Sequence, residues 1–165
     1  SLSQIYYYLR NFDEAIKYAE LTRGIEPNSA FAYDDLGWAY VAKSRYEEAI
    51  GAFKRKADLL GQSISADIAY VYAVMGRQDE ARTIAEQLKT EVLRGRSTYH
   101  EIGRIYLGLG DLETALNYFE QSVDRNESFT VMMKVNPLLD AVRAHSRYRD
   151  LLKRVGLGEG GSLET

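Results

Sequence analysis

Residues 32–60 read AYDDLGWAYVAKSRYEEAIGAFKRKADLL and predict two helices joined by a short turn at SRYEEA. In the first half, Leu36, Gly37 and Tyr40 are spaced so that they share one face of a helix. Gly37 would let a second helix approach closely, and Tyr40 would fill the space beside it. Ala49, just after the turn, would be the matching flat position on that second helix. The stretch therefore predicts a tightly packed helix pair.

The same pattern returns along the chain at intervals of 32 to 34 residues. An alanine follows each turn, at Ala15, Ala49, Ala81 and Ala115. A tyrosine stands nine residues before each alanine, at Tyr6, Tyr40, Tyr72 and Tyr106. A small residue stands twelve residues before it, at Ser3, Gly37, Ala69 and Gly103. A period of this length indicates a stack of helix pairs, each of which buries its apolar face against its neighbours.

Acidic pairs follow three of the turns, at Asp13–Glu14, Glu47–Glu48 and Asp79–Glu80. Paired carboxylates can perform acid–base catalysis, but these recur where a helix N-terminus favours negative charge. His100 lacks a second ligand at the spacing of a helical zinc motif, and no serine lies in a nucleophile elbow. We predict that the chain is not an enzyme and uses no cofactor or metal.

The bulk composition is that of a folded domain without strong attraction to polyanions. The chain has 165 residues, a formal net charge of -3 and no cysteine. No apolar run approaches the roughly 18 residues of a membrane span. Because the sequence begins inside a helical pattern and without Met, we expect a fragment of a larger protein. We expect a cytoplasmic location, or a periplasmic one if an upstream transmembrane helix is missing.

The repeating unit resembles a tetratricopeptide repeat. In residues 32–60 the family's signature positions are occupied by Tyr33, Leu36, Gly37, Tyr40, Ala49 and Phe53. Residues 97–123 are a second good copy, residues 65–88 a weaker one, and residues 12–30 resemble the second half of a repeat. Lys56 departs from the pattern, since the family prefers a small residue there. The resemblance implies an all-α, right-handed superhelical solenoid.

We expect the array to cover residues 1–124, followed by a C-terminal capping segment at 125–157 and a flexible tail at 158–165. The predicted repeats are a partial one at about 1–29 and three further ones at 30–61, 62–95 and 96–127. In the cap, the spacing of Tyr148, Leu151, Leu152 and Val155 predicts an apolar helix face that covers the last repeat.

Residues 133–157, MKVNPLLDAVRAHSRYRDLLKRVGL, resemble a closing segment found in bacterial regulators with C-terminal tetratricopeptide arrays. In those proteins the array follows a winged-helix DNA-binding domain, a nucleotide cyclase or a Ser/Thr kinase. Ser146 replaces a proline of that segment, and we expect it to cap the final helix.

Basic residues gather in the same segment, at Arg143, Arg147, Arg149, Lys153 and Arg154. They could form a surface for nucleic acid or anionic lipid. Alternatively, they could meet acidic residues of the last repeat, at Asp111, Glu113, Glu120 and Asp124. We favour the second interpretation, because no aromatic stacking platform is interleaved with the charges.

The first helices also carry apolar and aromatic residues on a face that packing inside the repeat does not require. By resemblance to the family, these positions line a concave groove that binds peptides or helices. The predicted groove residues are Tyr7, Tyr8, Phe31, Asp34, Trp38, Val41, Tyr70, Val74, His100, Arg104 and Leu107.

Within this groove we predict Trp38, Tyr70 and Tyr8 as anchors for a partner, because large aromatic side chains dominate interface energies. Arg104 would orient an acidic group, and His100 would assist at lower pH. The alternative is that the Trp and Tyr rings pack against neighbouring helices.

The predicted function is a non-enzymatic protein–protein interaction or scaffold module that binds a peptide or helix of a partner. We expect it to be part of a larger bacterial regulatory protein. One alternative is homo-oligomerisation through the groove or the truncated first repeat. A second alternative is contact with nucleic acid or anionic lipid through the basic C-terminal helix. We expect no nucleic-acid partner and no membrane insertion by this fragment.

Overall fold

The computed structural model describes residues 1–127 and 132–158, and these form ten α-helices and no β-strand. Eight helices follow one another in pairs: α1 (Leu2–Tyr8), α2 (Phe12–Ile25), α3 (Ala30–Ala42), α4 (Tyr46–Leu60), α5 (Ala66–Val74), α6 (Gln78–Leu93), α7 (Tyr99–Gly108) and α8 (Leu112–Asp124). Each helix packs on its neighbours in this order, and α5 also packs extensively against α7, the first helix of the next pair. The predicted all-α solenoid of stacked helix pairs is confirmed.

The repeated alanines are the closest contact points between helices. All four have no exposed surface, and they are Ala15, Ala49, Ala81 and Ala115. In two of the pairs a glycine on the first helix faces a phenylalanine ring on the second, Gly37 with Phe53 and Gly103 with Phe119. The small residues of the repeat therefore set the distance between helices, as the sequence predicted.

The turn inside each pair has one residue with positive φ, five positions before the repeated alanine. These residues are Arg10, Ser44, Gly76 and Gly110. In the two middle pairs an arginine then occupies the N-cap position of the second helix. Arg45 stacks on Tyr40 at 4.5 Å from the ring centroid, and Arg77 stacks on Tyr72 at 3.9 Å. These cation–π contacts pack the repeated tyrosine against the turn.

Helix α10 (Ser146–Arg154) covers the end of the array. Tyr148, Leu151 and Leu152 are buried in the same core as the last two helix pairs. Arg147 pairs with Glu113 at 2.6 Å and Glu120 at 2.8 Å. Arg147 of this helix therefore meets acidic residues of the last repeat, as the second interpretation predicted.

Arg154 and His145 also contact acidic side chains of α8. Arg154 forms an ion pair with Asp124. The prediction that Ser146 caps α10 is wrong, because Ser146 is the first helical residue and His145 occupies the N-cap position. His145 has an extended backbone, and its ring nitrogen lies 3.2 Å from Glu113.

Residues 132–143, which we call the strap, return from the last repeat towards the first. The strap contains a 3-10 turn at Pro137–Leu139 and the short helix α9 (Asp140–Arg143). Its far end touches the α1–α2 turn, where Arg10 pairs with Asp140. The sequence had placed this segment in the cap, and its return to the first repeat was not predicted.

The part of the chain that the structure describes contains no helix with the length and apolar character needed to span a membrane. Except for Gly158, the expected tail lies outside the described residues, as does the stretch 128–131 of the capping segment.

Candidate partner-binding groove

One cavity is enclosed jointly by the first and last repeats and the strap, which shows that the array curves around a concave face. Its volume is about 420 Å³. The array contributes side chains from α1, α3 and α7, including Tyr7, Tyr8, Asp34, Asp35, Trp38, His100 and Arg104. The strap contributes Met132, Asn136, Leu138 and Leu139. We call this space the first cavity.

Trp38, which lines the first cavity, lies at the centre of an aromatic cluster. Its ring meets Phe53 at a centroid distance of 4.9 Å and Tyr70 at 5.6 Å, both edge to face. The guanidinium of Arg104 lies 4.8 Å from the Trp38 ring centroid. Trp38 therefore packs against neighbouring helices, as the alternative interpretation predicted, and it also lines the cavity.

A network of ion pairs lies beside this aromatic cluster and joins α3, α4, α5 and α7. Lys56 donates to Asp34 at 2.6 Å and to Asp67 at 2.8 Å. Asp67 also accepts from Arg104 at 2.8 Å. These pairs explain the departure at Lys56, because a small residue there could not join α3 to α5.

The expectation that Arg104 orients an acidic group of a partner is not supported by this geometry. Its side chain is only 14% exposed, and Asp67 neutralises its charge. Its Nε atom is buried without a hydrogen-bond partner among the described residues. Arg104 instead joins α7 to α5 and covers one face of Trp38.

His100 lines the first cavity, but its predicted role at mildly acidic pH is wrong. Burial, with the positive charge of Arg104, lowers the pKa of His100 to about 4. The ring therefore stays neutral well below its ordinary pKa of about 6.5. Asp35 also lines this cavity. Burial raises the pKa of its carboxyl group, which accepts a hydrogen bond from Ser1 Oγ at 2.6 Å.

The remaining predicted groove residues fall into three environments. Val41, Tyr70 and Val74 line a second cavity of about 370 Å³, together with Tyr7 and the strap residues Pro137 and Leu138. Leu107 is buried in the core of the last repeats. Phe31 is 82% exposed and lines neither cavity.

Sequence reasoning missed the contribution of the strap and of Arg10. The signal available was the run Leu138–Leu139–Asp140, in which an acidic residue follows two apolar ones. It was read as part of the cap. No pattern within one repeat points to a contact between residues that lie 130 positions apart.

Comparison with known proteins agrees with this architecture. The tetratricopeptide repeat family matches residues 32–62 and residues 97–129. These segments include the α3–α4 and α7–α8 pairs, in which a glycine faces a phenylalanine ring. Both segments of the chain are therefore tetratricopeptide repeats. Repeats of this family form protein–protein interaction modules, and this array is a module of that kind.

The array is also similar to a yeast protein, small glutamine-rich tetratricopeptide repeat-containing protein 2 of Saccharomyces cerevisiae. The two are 29% identical over 108 residues, which is 66% of this chain and 31% of the yeast protein. The matched region thus spans about a third of the length of that relative.

Proposed function

We propose that this tetratricopeptide array binds a peptide or helix of a partner protein in its concave groove, without catalysing a reaction. The observation that carries the proposal is the first cavity, an open space lined by Tyr7, Tyr8 and Trp38 on a curved scaffold. Large aromatic rings in partly desolvated pockets supply a disproportionate share of binding energy at interfaces. Because the resemblance of residues 133–157 points to bacterial regulators, we further propose that the array serves a larger protein of that kind.

The chain contains a single tryptophan, so its fluorescence reports directly on the groove. We would select peptides from a displayed random library on the immobilised chain and measure their affinities through Trp38 emission. Tyr8→Ala should weaken binding of a selected peptide about tenfold, which is the loss expected for one aromatic anchor. Tyr18→Ala is the matched control, since Tyr18 stacks on Tyr6 and does not line the cavity. Equal effects of the two changes, or no selectable peptide, would contradict the proposal.

Self-association remains a second candidate, because one face of α1 is exposed and apolar. Leu2, Ile5 and Leu9 share that face at helical spacing, and their exposed fractions are 55%, 55% and 69%. Sedimentation over a range of concentrations tests it. A dimer that Ile5→Lys abolishes would support this candidate, and a monomer at all concentrations would exclude it.

The basic residues of α10 favour a structural role. Because Arg147 and Arg154 are engaged by acidic residues of α8, few cations remain for a polyanion. We therefore propose that α10 is a cap and makes no contact with nucleic acid or anionic lipid. Binding of the chain to DNA or anionic vesicles that weakens with added salt would contradict this.

A further inference from the structure

The strap occupies the part of the groove that adjoins the first cavity. Leu138 packs against the apolar cluster that includes Val41 and Tyr70, and Trp38 packs against the same cluster. The next residue, Leu139, is only 3% exposed and belongs to the core of the last two helix pairs. One leucine thus lies among the middle repeats and the other against the end of the array.

An ion pair fixes the strap at its far end. Arg10 Nη1 lies 2.7 Å from Asp140 Oδ2, and Arg10 Nη2 lies 2.9 Å from Asp140 Oδ1. Arg143 also donates to Asp140, at 3.0 Å, and to the carbonyl of Asn136 at 3.1 Å. The pair therefore joins the first turn of the array to an already ordered strap.

The Arg10–Asp140 pair is accessible to solvent, with side chains 51% and 43% exposed. Solvent-exposed ion pairs typically contribute little to stability. A second carboxylate in solution could therefore replace Asp140 on Arg10 at small cost. Leu139 would be harder to displace from its position, because it is buried in the core.

The backbone at Arg10 gives an independent reason to assign its side chain a role. Arg10 has φ +62°, at the turn position where the last two repeats have Gly76 and Gly110. Glycine adopts this conformation without strain, whereas residues with a β-carbon do so at a cost. An arginine here places a bidentate carboxylate-binding group at the mouth of the groove.

We infer that the strap is a built-in pseudo-ligand, and that the groove recognises partner peptides with the same chemistry. Such a peptide has an apolar side chain followed, two positions later, by an acidic one. Its apolar side chain would replace Leu138 against the cluster that includes Val41 and Tyr70, and its carboxylate would replace Asp140 on Arg10. This inference rests on the proposed function of the groove. Because the strap occupies the site, the apparent affinity for a partner is reduced by the fraction of chains in which it is seated.

The test uses the whole chain and a labelled peptide with the sequence of residues 134–143, KVNPLLDAVR. Fluorescence anisotropy should show that the Leu138→Ser/Asp140→Asn variant binds this peptide at least tenfold more tightly than the unmodified chain. A peptide with Arg in place of the Asp should bind that variant at least tenfold more weakly. Adding Arg10→Glu to the variant should reverse this preference.

Two further variants keep the result interpretable. Asp150→Asn is the matched control, because Asp150 is an exposed acidic residue that pairs only with Lys153 among the described residues. It should leave peptide affinity unchanged. Asp140→Asn alone alters an exposed side chain and not the core, so it tests the inference if the double variant fails to fold. It should tighten binding about threefold.

Unchanged peptide affinity in both strap variants would overturn the inference and make the strap a fixed part of the fold. Library peptides that still depend on Tyr8 would then leave the proposed function standing. If strap variants instead gave a dimer that forms by strap exchange, the groove would belong to a second copy. That outcome would also overturn the assignment to a partner peptide.

Discussion

The ring of Phe53 lies directly against the backbone of Gly37. A β-carbon placed on residue 37 would be 2.2 Å from Cε1 of that ring, well inside van der Waals contact. The equivalent distance from Gly103 to Phe119 is 2.7 Å. Glycine is needed at this repeat position so that two helices can approach closely, and not to form a turn.

Gly37→Ala should therefore destabilise the chain by about 1–3 kcal/mol, the usual cost of overpacking a core. Gly51→Ala is the matched control on the neighbouring helix. Among the described residues, a β-carbon at Gly51 would meet nothing outside its own helix within 4 Å. That change should stabilise the helix by up to about 1 kcal/mol. Urea denaturation of both variants measures the difference, and equal effects would show that Phe53 moves aside freely.

Asp67 holds two cations, and its removal should be costly. The carboxylate is 9% exposed and accepts from Lys56 and Arg104, each at 2.8 Å. Asp67→Ala leaves both charges short of a partner in a buried site, which typically costs about 3–5 kcal/mol. Asp58→Ala, at an exposed position of α4, should change stability by less than about 0.5 kcal/mol. Denaturation at pH 7 tests both, and a small loss for Asp67→Ala would mean that water replaces the network.

His100 should make stability depend on pH above the range in which carboxylates titrate. Its pKa is about 4 in the fold and about 6.5 in the unfolded chain. Between these values the unfolded chain binds the extra proton, so the free energy of unfolding decreases as the pH is lowered. From pH 7 to pH 5 the loss is about 2 kcal/mol.

Substitution separates His100 from the charges around it, which are Arg104, Asp67, Glu101 and Glu127. His100→Gln should flatten the stability profile between pH 7 and pH 5. Identical profiles for the unmodified chain and His100→Gln would place the pH dependence elsewhere.

The hydroxyl of Tyr148 joins the cap to the start of the strap. It donates to the carbonyl of Met133 at 2.9 Å in a site with no solvent exposure. Tyr148→Phe leaves that carbonyl without its donor and should cost about 1–3 kcal/mol. Tyr33→Phe removes a similar bond to the carbonyl of Pro27, but at an exposed site, so it should cost less than about 0.5 kcal/mol. Thermal or urea unfolding measures the stability of both variants. Equal losses would indicate that water reaches the carbonyl of Met133.

The repeated features of this fold could be read from the sequence because each depends on residues close in the chain. Ala49, Gly37 and Phe53 lie within one helix pair, so their spacing already states which faces meet. The same holds for the apolar face of α10, where Tyr148, Leu151 and Leu152 are buried as predicted.

The candidate site was predicted less completely than the fold. Tyr7, Tyr8 and Trp38 do line one cavity, since residues on equivalent faces of successive first helices converge on the concave side. The charge of Arg104 was misjudged, because its partner Asp67 lies on a different repeat. From the sequence, Lys56 could be recognised only as a departure from the repeat pattern. Its ion pairs with Asp34 and Asp67 show why a long cationic side chain is needed at this position.

The sequence by itself determined the period, the helix pairs and the residues at which helices touch, because those contacts are local and repeat every 32 to 34 residues. Only the tertiary structure decided where the strap lies, what Arg104 binds and how the groove is divided. The physical reason is curvature. Small rotations between successive pairs accumulate over four repeats, and their sum brings Arg10 to Asp140 and closes the concave face over Leu138.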